Sequence, residues 1–293
     1  MILFHTPPYA AMAAHLRTAL GAGEGVCCLH RFPNGELSLR VGSGVERIPC
    51  LVLGSVAPPD ENLLAILQLI DTLRRHGAAE VTLLLPYFGY SRHDRPDGRA
   101  STFALIGALL RAAGVRRIIT VDVHNPLAAH ELPVETISLS PAPLFATRLG
   151  ELPGAALVAP DRGALPRCEA IKIALRGEYR IVSFRKQRTD AGVSSTLEGE
   201  PGRENILIDD MLDTGTTLIL AAEALVARAT HPSTVVVTHG LFTGTEWPRL
   251  WRLGVQRIIT TDTVPIERGG ELDGRIERVS VVPLLSEFLR HNP

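Results

Sequence analysis

The segment Ile206–Leu218, with the sequence ILIDDMLDTGTTL, limits the possible fold of this chain more than any other segment. Three apolar residues lead into Asp209 and Asp210, a Gly/Thr loop follows, and a helical pattern begins near Thr217. The amides and hydroxyls of such a loop can hold a phosphate at the positive end of the helix dipole. Because carboxylates repel a phosphate, the two acids predict contacts with a metal or with hydroxyls such as a ribose cis-diol. The alternative is an ordinary strand–turn–helix with solvated acids.

Short apolar runs bounded by Gly, Pro or acids alternate with helical patterns along the chain, which predicts an α/β protein with parallel sheets. The predicted strands are Cys50–Leu53, Val81–Pro86, Arg117–Val121, Ala156–Ala159, Ile206–Asp209, Thr234–Thr238 and Arg257–Thr261. The predicted helices are Ala10–Leu20, Asn62–His76, Phe103–Ala113, Leu165–Leu175, Thr217–Ala229 and Trp247–Leu253.

An internal sequence repeat indicates two similar domains. Gly114–Pro126 reads GVRRIITVDVHNP and Gly254–Pro265 reads GVQRIITTDTVP, with seven of the first nine positions identical. Chance similarity between two buried strands is the alternative. The similarity ends where His124 of the first segment aligns with Val264 of the second, so we expect the two domains to share a fold and differ in role. We predict domains at residues 1–142 and 143–278, with a tail at 279–293 that packs back on the first domain.

Composition excludes several classes of protein. The 293 residues are 45% hydrophobic with a formal net charge of −1, which gives no basic field for nucleic acid. No apolar run reaches the roughly 20 residues of a membrane span, and no signal peptide is recognisable. The four cysteines show no metal-binding spacing, which favours buried thiols in a reducing cytoplasm. We expect a cytoplasmic protein without nucleic-acid or membrane partners.

Two motifs combine aromatic and polar groups. Arg31–Glu36, RFPNGE, contains an Asn-Gly turn signal, so a simple hairpin is sufficient to explain it. Alternatively, Phe32 offers a stacking surface, with Asn34 and Glu36 as hydrogen-bonding groups for a base edge. Pro86–Arg95, PYFGYSRHDR, follows an apolar run, at the strand end where α/β sheets bind ligands. The forked donors of its two arginines, Arg92 and Arg95, suit a polyphosphate, although a solvated turn is the alternative.

Two further strand ends carry candidate metal ligands. In Val121–Pro126, VDVHNP, the side chain of His124 could help to hold Mg²⁺, although a lone His is more often structural. Val158–Leu165, VAPDRGAL, repeats the order strand, acid, Gly turn and helix. Asp161 could bind Mg²⁺ there, and the amides around Gly163 could face a pyrophosphate.

The segment that begins FRKQRT at Phe184 is long, polar and poorly periodic, which is typical of a mobile lid. Its cations, which include Lys186 and Arg188, could stabilise a transferring phosphoryl group. A solvated basic turn is the alternative. The chain has only two lysines, so a lysine retained in this segment slightly favours a functional role. The chain contains no GxxxxGK[ST] P-loop, no GxGxxG after a strand and no GxSxG elbow.

Taken in order, these motifs and the later THGLFTG resemble the ribose-phosphate pyrophosphokinase family, from Arg31 to about Pro265. The resemblance implies two phosphoribosyltransferase-type domains, each a mainly parallel sheet flanked by helices. It implies transfer of the pyrophosphoryl group of ATP to the anomeric hydroxyl of ribose 5-phosphate, with Mg²⁺ as cofactor. It also implies a homo-oligomer, at least a dimer with a shared ATP site.

The resemblance assigns roles to residues of this sequence. The lid residues Lys186 and Arg188 would be catalytic, and His124 and Asp161 would hold the metal. The pyrophosphate loop would comprise Asp161, Arg162 and Gly163. ATP would contact Phe32, Asn34, Glu36, Arg92, His93 and Arg95. Ribose 5-phosphate would contact Asp209, Asp210, Asp213, Thr214, Gly215, Thr216 and Thr217.

Some positions depart from the family pattern. Asn34 stands where Asp is usual and His93 where Gln is usual, which puts the nucleotide preference in question. A short segment after Arg95 and the compact length resemble the archaeal type of the family. Two other functions remain open: a phosphoribosyltransferase, and a non-catalytic regulatory paralogue. The paralogue should have lost the metal His, the lid Lys or the phosphate loop, all of which this chain keeps.

Overall fold

The computed structural model describes residues 1–93, 101–189, 192–265 and 274–292, and only the backbone within 185–196. The chain divides into two compact units. The first comprises Met1–Leu139 together with a C-terminal helix, and the second runs from Ser140 to Val264 and continues with residues up to Val281. Among the described residues, none of the helices is long and apolar enough to cross a membrane.

The first unit is built on a parallel sheet of six strands in the order β2-β1-β5-β6-β7-β8, with a separate antiparallel pair, β3 and β4. Its strands are β1 Ile2–His5, β2 Gly23–Glu24, β3 Cys27–Arg31, β4 Leu37–Val41, β5 Pro49–Leu53, β6 Glu80–Leu85, β7 Arg117–Val121 and β8 Glu135–Leu139. Its helices are α1 Ala10–Leu20, α2 Glu61–Arg75, α3 Thr102–Ala113, α4 Pro126–His130 and the C-terminal α9 Val282–His291.

Two helices cover one face of this sheet. Helix α2 buries Ile66, Leu69 and Ile70 at the spacing of one helical face, and α3 adds Phe103 and Leu110 to the same core. Helix α9 packs against α1, and the guanidinium of Arg290 donates to the carbonyl of Ala19 at 2.8 Å. The strand before α9, β15 Ile276–Val279, pairs with β14 Arg257–Thr261 in the second unit.

The second unit has a seven-stranded sheet in the order β11-β10-β9-β12-β13-β14-β15, parallel except for β10 with β11. Its strands are β9 Ala156–Ala159, β10 Arg180–Thr189, β11 Gly192–Glu198, β12 Asn205–Leu212, β13 Pro232–Gly240, β14 Arg257–Thr261 and β15 Ile276–Val279. Its helices are α5 Ala142–Leu149, α6 Leu165–Leu175, α7 Thr216–Val226 and α8 Arg249–Arg252. The predicted α/β class with parallel sheets is confirmed.

Alternation along β12 distributes its side chains between the two faces of this sheet. Ile206 and Ile208 join the core that holds α5 and α6, whereas Leu207 joins the core that holds α7. Both faces are covered, which explains why Ile206–Ile208 reads as a continuous apolar run rather than as an alternating one. The same alternation fixes the direction of the polar residues that follow.

The two copies of the internal sequence repeat form strands at equivalent positions in the two sheets. Strand β7 lies between β6 and β8, next to the sheet edge, and β14 lies between β13 and β15 in the same way. Gly114 and Gly254 precede them with positive φ angles of 105° and 103°. After each strand, an aspartate amide donates to the neighbouring edge strand: Asp122 to Leu139 at 2.9 Å and Asp262 to Val279 at 3.0 Å.

Candidate active site

The acid pair of the second unit lies within a strand rather than after one. We predicted that the strand would end at Asp209, but β12 continues to Leu212 and pairs with β13 as far as Gly240. Polar residues interrupted the apolar pattern and hid this continuation. The loop therefore starts at Asp213, and the two acids stand on a paired, rigid backbone.

The loop after β12 has the geometry of an anion cradle. Gly215, the residue immediately before α7, has φ +85° and no side chain to cap the helix. The first amides of α7 have no acceptors within the helix and are left for a ligand. The hydroxyls of Thr214 and Thr216 lie 3.1 Å apart, and both residues are exposed. Amides, hydroxyls and the helix dipole therefore converge on one exposed spot.

Asp210 continues the face of Ile206 and Ile208 and meets helix α6. It is 3% exposed, and its Oδ2 lies 3.9 Å from Nη2 of Arg167. The same guanidinium donates through Nη1 to the carbonyl of Gly163 at 3.1 Å. Arg167 thus connects the acid pair to the loop after β9. We had assigned Arg167 no role, although its position four residues after Gly163, one helical turn away, was the available signal.

Asp161 caps the short turn after β9. Its Oδ1 accepts from the amide of Gly163 at 2.9 Å. We expected the amides around Gly163 to face a pyrophosphate, but the Gly163 amide is engaged by Asp161 in this structure. Arg162, the remaining residue of that predicted loop, is exposed to solvent.

Negative charge accumulates around Asp209. Part of this residue remains accessible, yet protein surrounds its carboxyl closely enough that burial raises the pKa of Asp209 well above its usual range. The charges of Asp210 and Asp161 raise that pKa further, whereas the Asp210 amide, which donates to Oδ1 of Asp209 at 2.9 Å, lowers it. Asp210 and Asp161 are thus close enough to Asp209 to oppose its ionisation.

In the first unit, RFPNGE forms the turn of the β3–β4 hairpin. The amide of Phe32 donates to Glu36 O at 2.9 Å, and the amide of Glu36 donates to Asn34 Oδ1 at 3.1 Å. The ring of Phe32 is 50% exposed. Arg31 holds the turn through the carbonyl of Gly35 at 2.7 Å and an ion pair with Glu61 of α2. The simple hairpin is therefore present, and its tip presents an aromatic ring to solvent.

The segment after β6 is tightly packed at its start and open at its end. A Cβ on Gly89 would lie 2.6 Å from Cα of Ala57, so only glycine fits there. Tyr90 has φ +64° and donates its hydroxyl to Asp60, which raises the pKa of Tyr90 to about 12. The exposed residues Arg92 and His93 follow, with the His93 ring 6.0 Å from that of Tyr90. Arg95 lies outside the described residues.

His124 is exposed after β7, in the first unit. Asn125 begins α4 and accepts from the amides of Leu127 and Ala128 at 3.1 and 3.3 Å. The cap fixes the chain direction next to His124. Asp161, with which His124 was predicted to share a metal, belongs to the second unit. No three of the described His, Cys, Asp and Glu side chains form a group that could hold a metal ion by themselves.

The predicted lid is a β-hairpin rather than an irregular loop. Strands β10 and β11 pair antiparallel from Ser183 with Glu198 to Thr189 with Gly192. The segment looked irregular because its residues beyond Phe184 are mostly polar, so no apolar alternation marked the strands. The catalytic candidates Lys186 and Arg188 pair with Ser195 and Val193, and their side chains lie outside the described part of the chain.

Two family models match the N-terminal and C-terminal parts of the chain. Residues 1–114 match the family model described as the N-terminal domain of ribose phosphate pyrophosphokinase. Residues 189–292 match the model described as the phosphoribosyl synthetase-associated domain. Together these matches include most of both units.

Two curated relatives span nearly the whole chain. The ribose-phosphate pyrophosphokinase of Granulibacter bethesdensis is 32% identical over 97% of this chain and 93% of the relative. That of Caldanaerobacter subterraneus is 31% identical over 95% and 89%. The crystal structure of phosphoribosylpyrophosphate synthetase from Mycobacterium smegmatis superposes with a TM-score of 0.88 at 26% identity, covering 99% of this chain and 98% of that one. The chain therefore belongs to the ribose-phosphate pyrophosphokinase family.

Proposed function

We propose that this chain catalyses transfer of the β,γ-pyrophosphoryl group of ATP to the anomeric hydroxyl of ribose 5-phosphate. A bond forms between the anomeric oxygen and the β-phosphorus. The bond from that phosphorus to the oxygen of the α-phosphate breaks, and AMP leaves. Phosphoribosyl pyrophosphate is the other product. This proposal rests on family membership together with one structural observation.

That observation is the loop at the start of α7, where a buried strand brings two acids next to an open anion cradle. We assign Asp213, Thr214, Gly215, Thr216 and Thr217 to the 5-phosphate of the sugar. A dianionic phosphate suits the first amides of α7 and the positive end of the helix dipole. The hydroxyls of Thr214 and Thr216, 3.1 Å apart, can both donate to it.

We assign the ribose hydroxyls to Asp209 and Asp210, since carboxylates accept hydrogen bonds from a diol. Asp209 is the more accessible of the two, and Arg167 balances part of the charge of Asp210. Burial is the main reason why the pKa of Asp209 is raised, and the negative charges of Asp210 and Asp161 raise it further. A cation in this region would therefore be stabilised.

The donor set suits Mg²⁺, which takes carboxylate and phosphate oxygens and retains waters. We propose Asp161 and His124 as its protein ligands, with waters and substrate phosphates for the remaining positions. When bound, Mg²⁺ neutralises charge on the ATP phosphates.

On the nucleotide side, we assign Arg92, His93 and Arg95 to ATP. The exposed ring of Phe32, together with Asn34 and Glu36, would contact adenine in a neighbouring copy of the chain, so the enzyme would be at least a dimer. Residues 162 and 163 would complete the pyrophosphate loop. Lys186 and Arg188 would stabilise the charge of the transferring group. Free thiols at all four cysteines accord with the proposed cytoplasmic location.

The test is an initial-rate assay with ribose 5-phosphate, Mg²⁺ and a panel of ATP, dATP, GTP and CTP. We expect AMP and phosphoribosyl pyrophosphate in equal amounts from ATP, and the panel measures how Asn34 and His93 affect donor preference. A regulatory paralogue would bind ribose 5-phosphate without turnover. A phosphoribosyltransferase would consume phosphoribosyl pyrophosphate in the presence of a base and would not form it from ATP.

A further inference from the structure

We infer that Thr243 is a positioning residue for the sugar-phosphate loop, which it holds through the carboxylate of Asp213. This inference rests on the proposed function, because it assumes that Asp213–Thr217 bind the 5-phosphate. Thr243 lies in Leu241–Trp247, the second loop, which follows β13 and is 30 positions from Asp213 in sequence.

The backbone of the second loop is fixed to the end of β12. The amides of Leu241 and Phe242 both donate to the carbonyl of Leu212, each at 2.9 Å. Leu212 is the last residue before Asp213 and the phosphate loop. The two loops therefore start from one shared hydrogen-bonding point, and a displacement of one backbone is transmitted to the other.

The hydroxyl of Thr243 donates to Oδ1 of Asp213. An ionised carboxylate in a phosphate loop would repel the incoming phosphate unless the orientation of that carboxylate is fixed. A hydroxyl donor supplies that control, and a hydrogen bond to a charged acceptor is stronger than one to a neutral acceptor. Thr243 itself is exposed, so burial does not account for a threonine at this position.

The second loop also limits the space behind the cradle. A Cβ on Gly215 would lie 2.9 Å from Cβ of Trp247, so the phosphate loop and Trp247 meet at the closest approach that glycine allows. The Trp247 ring packs edge-on against Phe242 at 5.1 Å and near Trp251 at 6.1 Å. Trp247 and Trp251 are the only tryptophans in the sequence.

Below the second loop, buried polar groups hold the end of β13. The carbonyl of Thr238 accepts from the hydroxyls of Thr261 at 2.6 Å and Thr263 at 3.2 Å. The ring of His239 lies 2.8 Å from the Thr263 hydroxyl. These residues are at most 2% exposed. A satisfied buried network of this kind is rigid, so the second loop extends from a fixed base.

The test compares Thr243→Val with Thr243→Ser and with Thr147→Val. Valine keeps the shape of threonine and removes the hydroxyl, whereas serine keeps the hydroxyl. Thr147 is an exposed helical threonine in the same unit whose hydroxyl donates to Pro143 O, so it is a matched control. We expect Thr243→Val to raise KM for ribose 5-phosphate about tenfold or more while KM for ATP and kcat stay near wild type. Serine should restore KM, and Thr147→Val should leave it unchanged.

Tryptophan fluorescence gives an independent binding measurement, because Trp247 lies beside the phosphate loop and Trp251 packs near Trp247. Titration with ribose 5-phosphate should shift emission in the wild type and give a Kd about tenfold weaker in Thr243→Val. Thr216→Ala separates the two hypotheses. If Thr216→Ala weakens binding and Thr243→Val does not, the inference about Thr243 is wrong and the cradle stands. If Thr216→Ala binds normally, the cradle assignment itself is wrong. Equal loss for ATP and the sugar, or failure of serine to rescue, would also overturn the role of Thr243.

Discussion

Arg167 lies between the acid pair of β12 and the loop after β9. Its Nη2 is 3.9 Å from the carboxylate of Asp210, and its Nη1 donates to Gly163 O at 3.1 Å. Both charged side chains of the pair are at most 15% exposed. The pair therefore serves the charge balance of the proposed sugar site and also its stability.

Replacing Arg167 by Met should destabilise the protein, because it removes a cation from beside the buried carboxylate of Asp210. Removal of one partner from a buried pair costs about 3 kcal/mol. Urea unfolding measures this loss. Arg249→Met is the control, since Arg249 pairs with Glu223 and Glu246 on the surface, where we expect less than about 1 kcal/mol. Equal small losses in both variants would show that the Arg167 pair contributes little.

The raised pKa of Asp209 gives stability a definite pH dependence. The unfolded chain releases this proton near the ordinary value of 3.8, below the folded pKa. As pH rises above that ordinary value, the unfolded state binds fewer protons than the folded state, so the contribution of Asp209 to stability falls. Asp209→Asn should therefore be more stable than wild type at neutral pH, with the difference disappearing towards acid pH, and should lose activity. Denaturant unfolding across this pH range provides the measurement, and a pH-independent difference would contradict the assignment.

Gly215→Ala should damage the phosphate loop by two additive effects. Its φ of +85° is unfavourable for alanine by roughly 1 kcal/mol, and the new Cβ would lie 2.9 Å from Trp247. Gly21→Ala is the matched control, because Gly21 is also left-handed, with φ 62° and ψ 29°, and a Cβ there would meet nothing within 4 Å. In the control variant we expect the free energy of unfolding to fall only by the cost of the backbone strain. Gly215→Ala should lose more stability and should raise KM for ribose 5-phosphate. Indistinguishable unfolding curves and KM values would count against a close approach.

Lys186→Ala should lower kcat by about 10²–10³-fold and leave ribose 5-phosphate binding nearly intact, as expected for a group that acts in the transition state. The only other lysine in the chain, Lys172 of α6, supplies the control. Lys172→Ala should retain turnover. The assay is steady-state kinetics combined with a binding titration, and near-normal kcat in Lys186→Ala would refute the catalytic role of the β10–β11 hairpin.

The residues explain how far the sequence could predict this fold. Strands β7, β9 and β14 matched their predicted bounds because apolar runs with clear boundaries mark them. The hairpin β10–β11 was missed because its residues beyond Phe184 are mostly polar, and β12 was shortened because two acids interrupt its apolar run.

The candidate site shows a similar division. The loop Asp213–Thr217 and its acids were recognisable because their order is local in sequence. The contact of Thr243 with Asp213 spans 30 positions, and that of Arg167 with Asp210 also depends on how β12 and its neighbours pack. Pairing between distant segments depends on sheet order and side-chain direction, which local patterns do not specify.

Phosphorus NMR of a reaction containing the protein, ATP, Mg²⁺ and ribose 5-phosphate tests the central claim most directly, because it identifies which phosphoryl group moves. We predict AMP and a sugar-bound pyrophosphate in equal amounts, with no ADP or inorganic phosphate. Formation of ADP with a singly phosphorylated sugar position, or the absence of turnover while ribose 5-phosphate remains bound, would contradict pyrophosphoryl transfer by this chain.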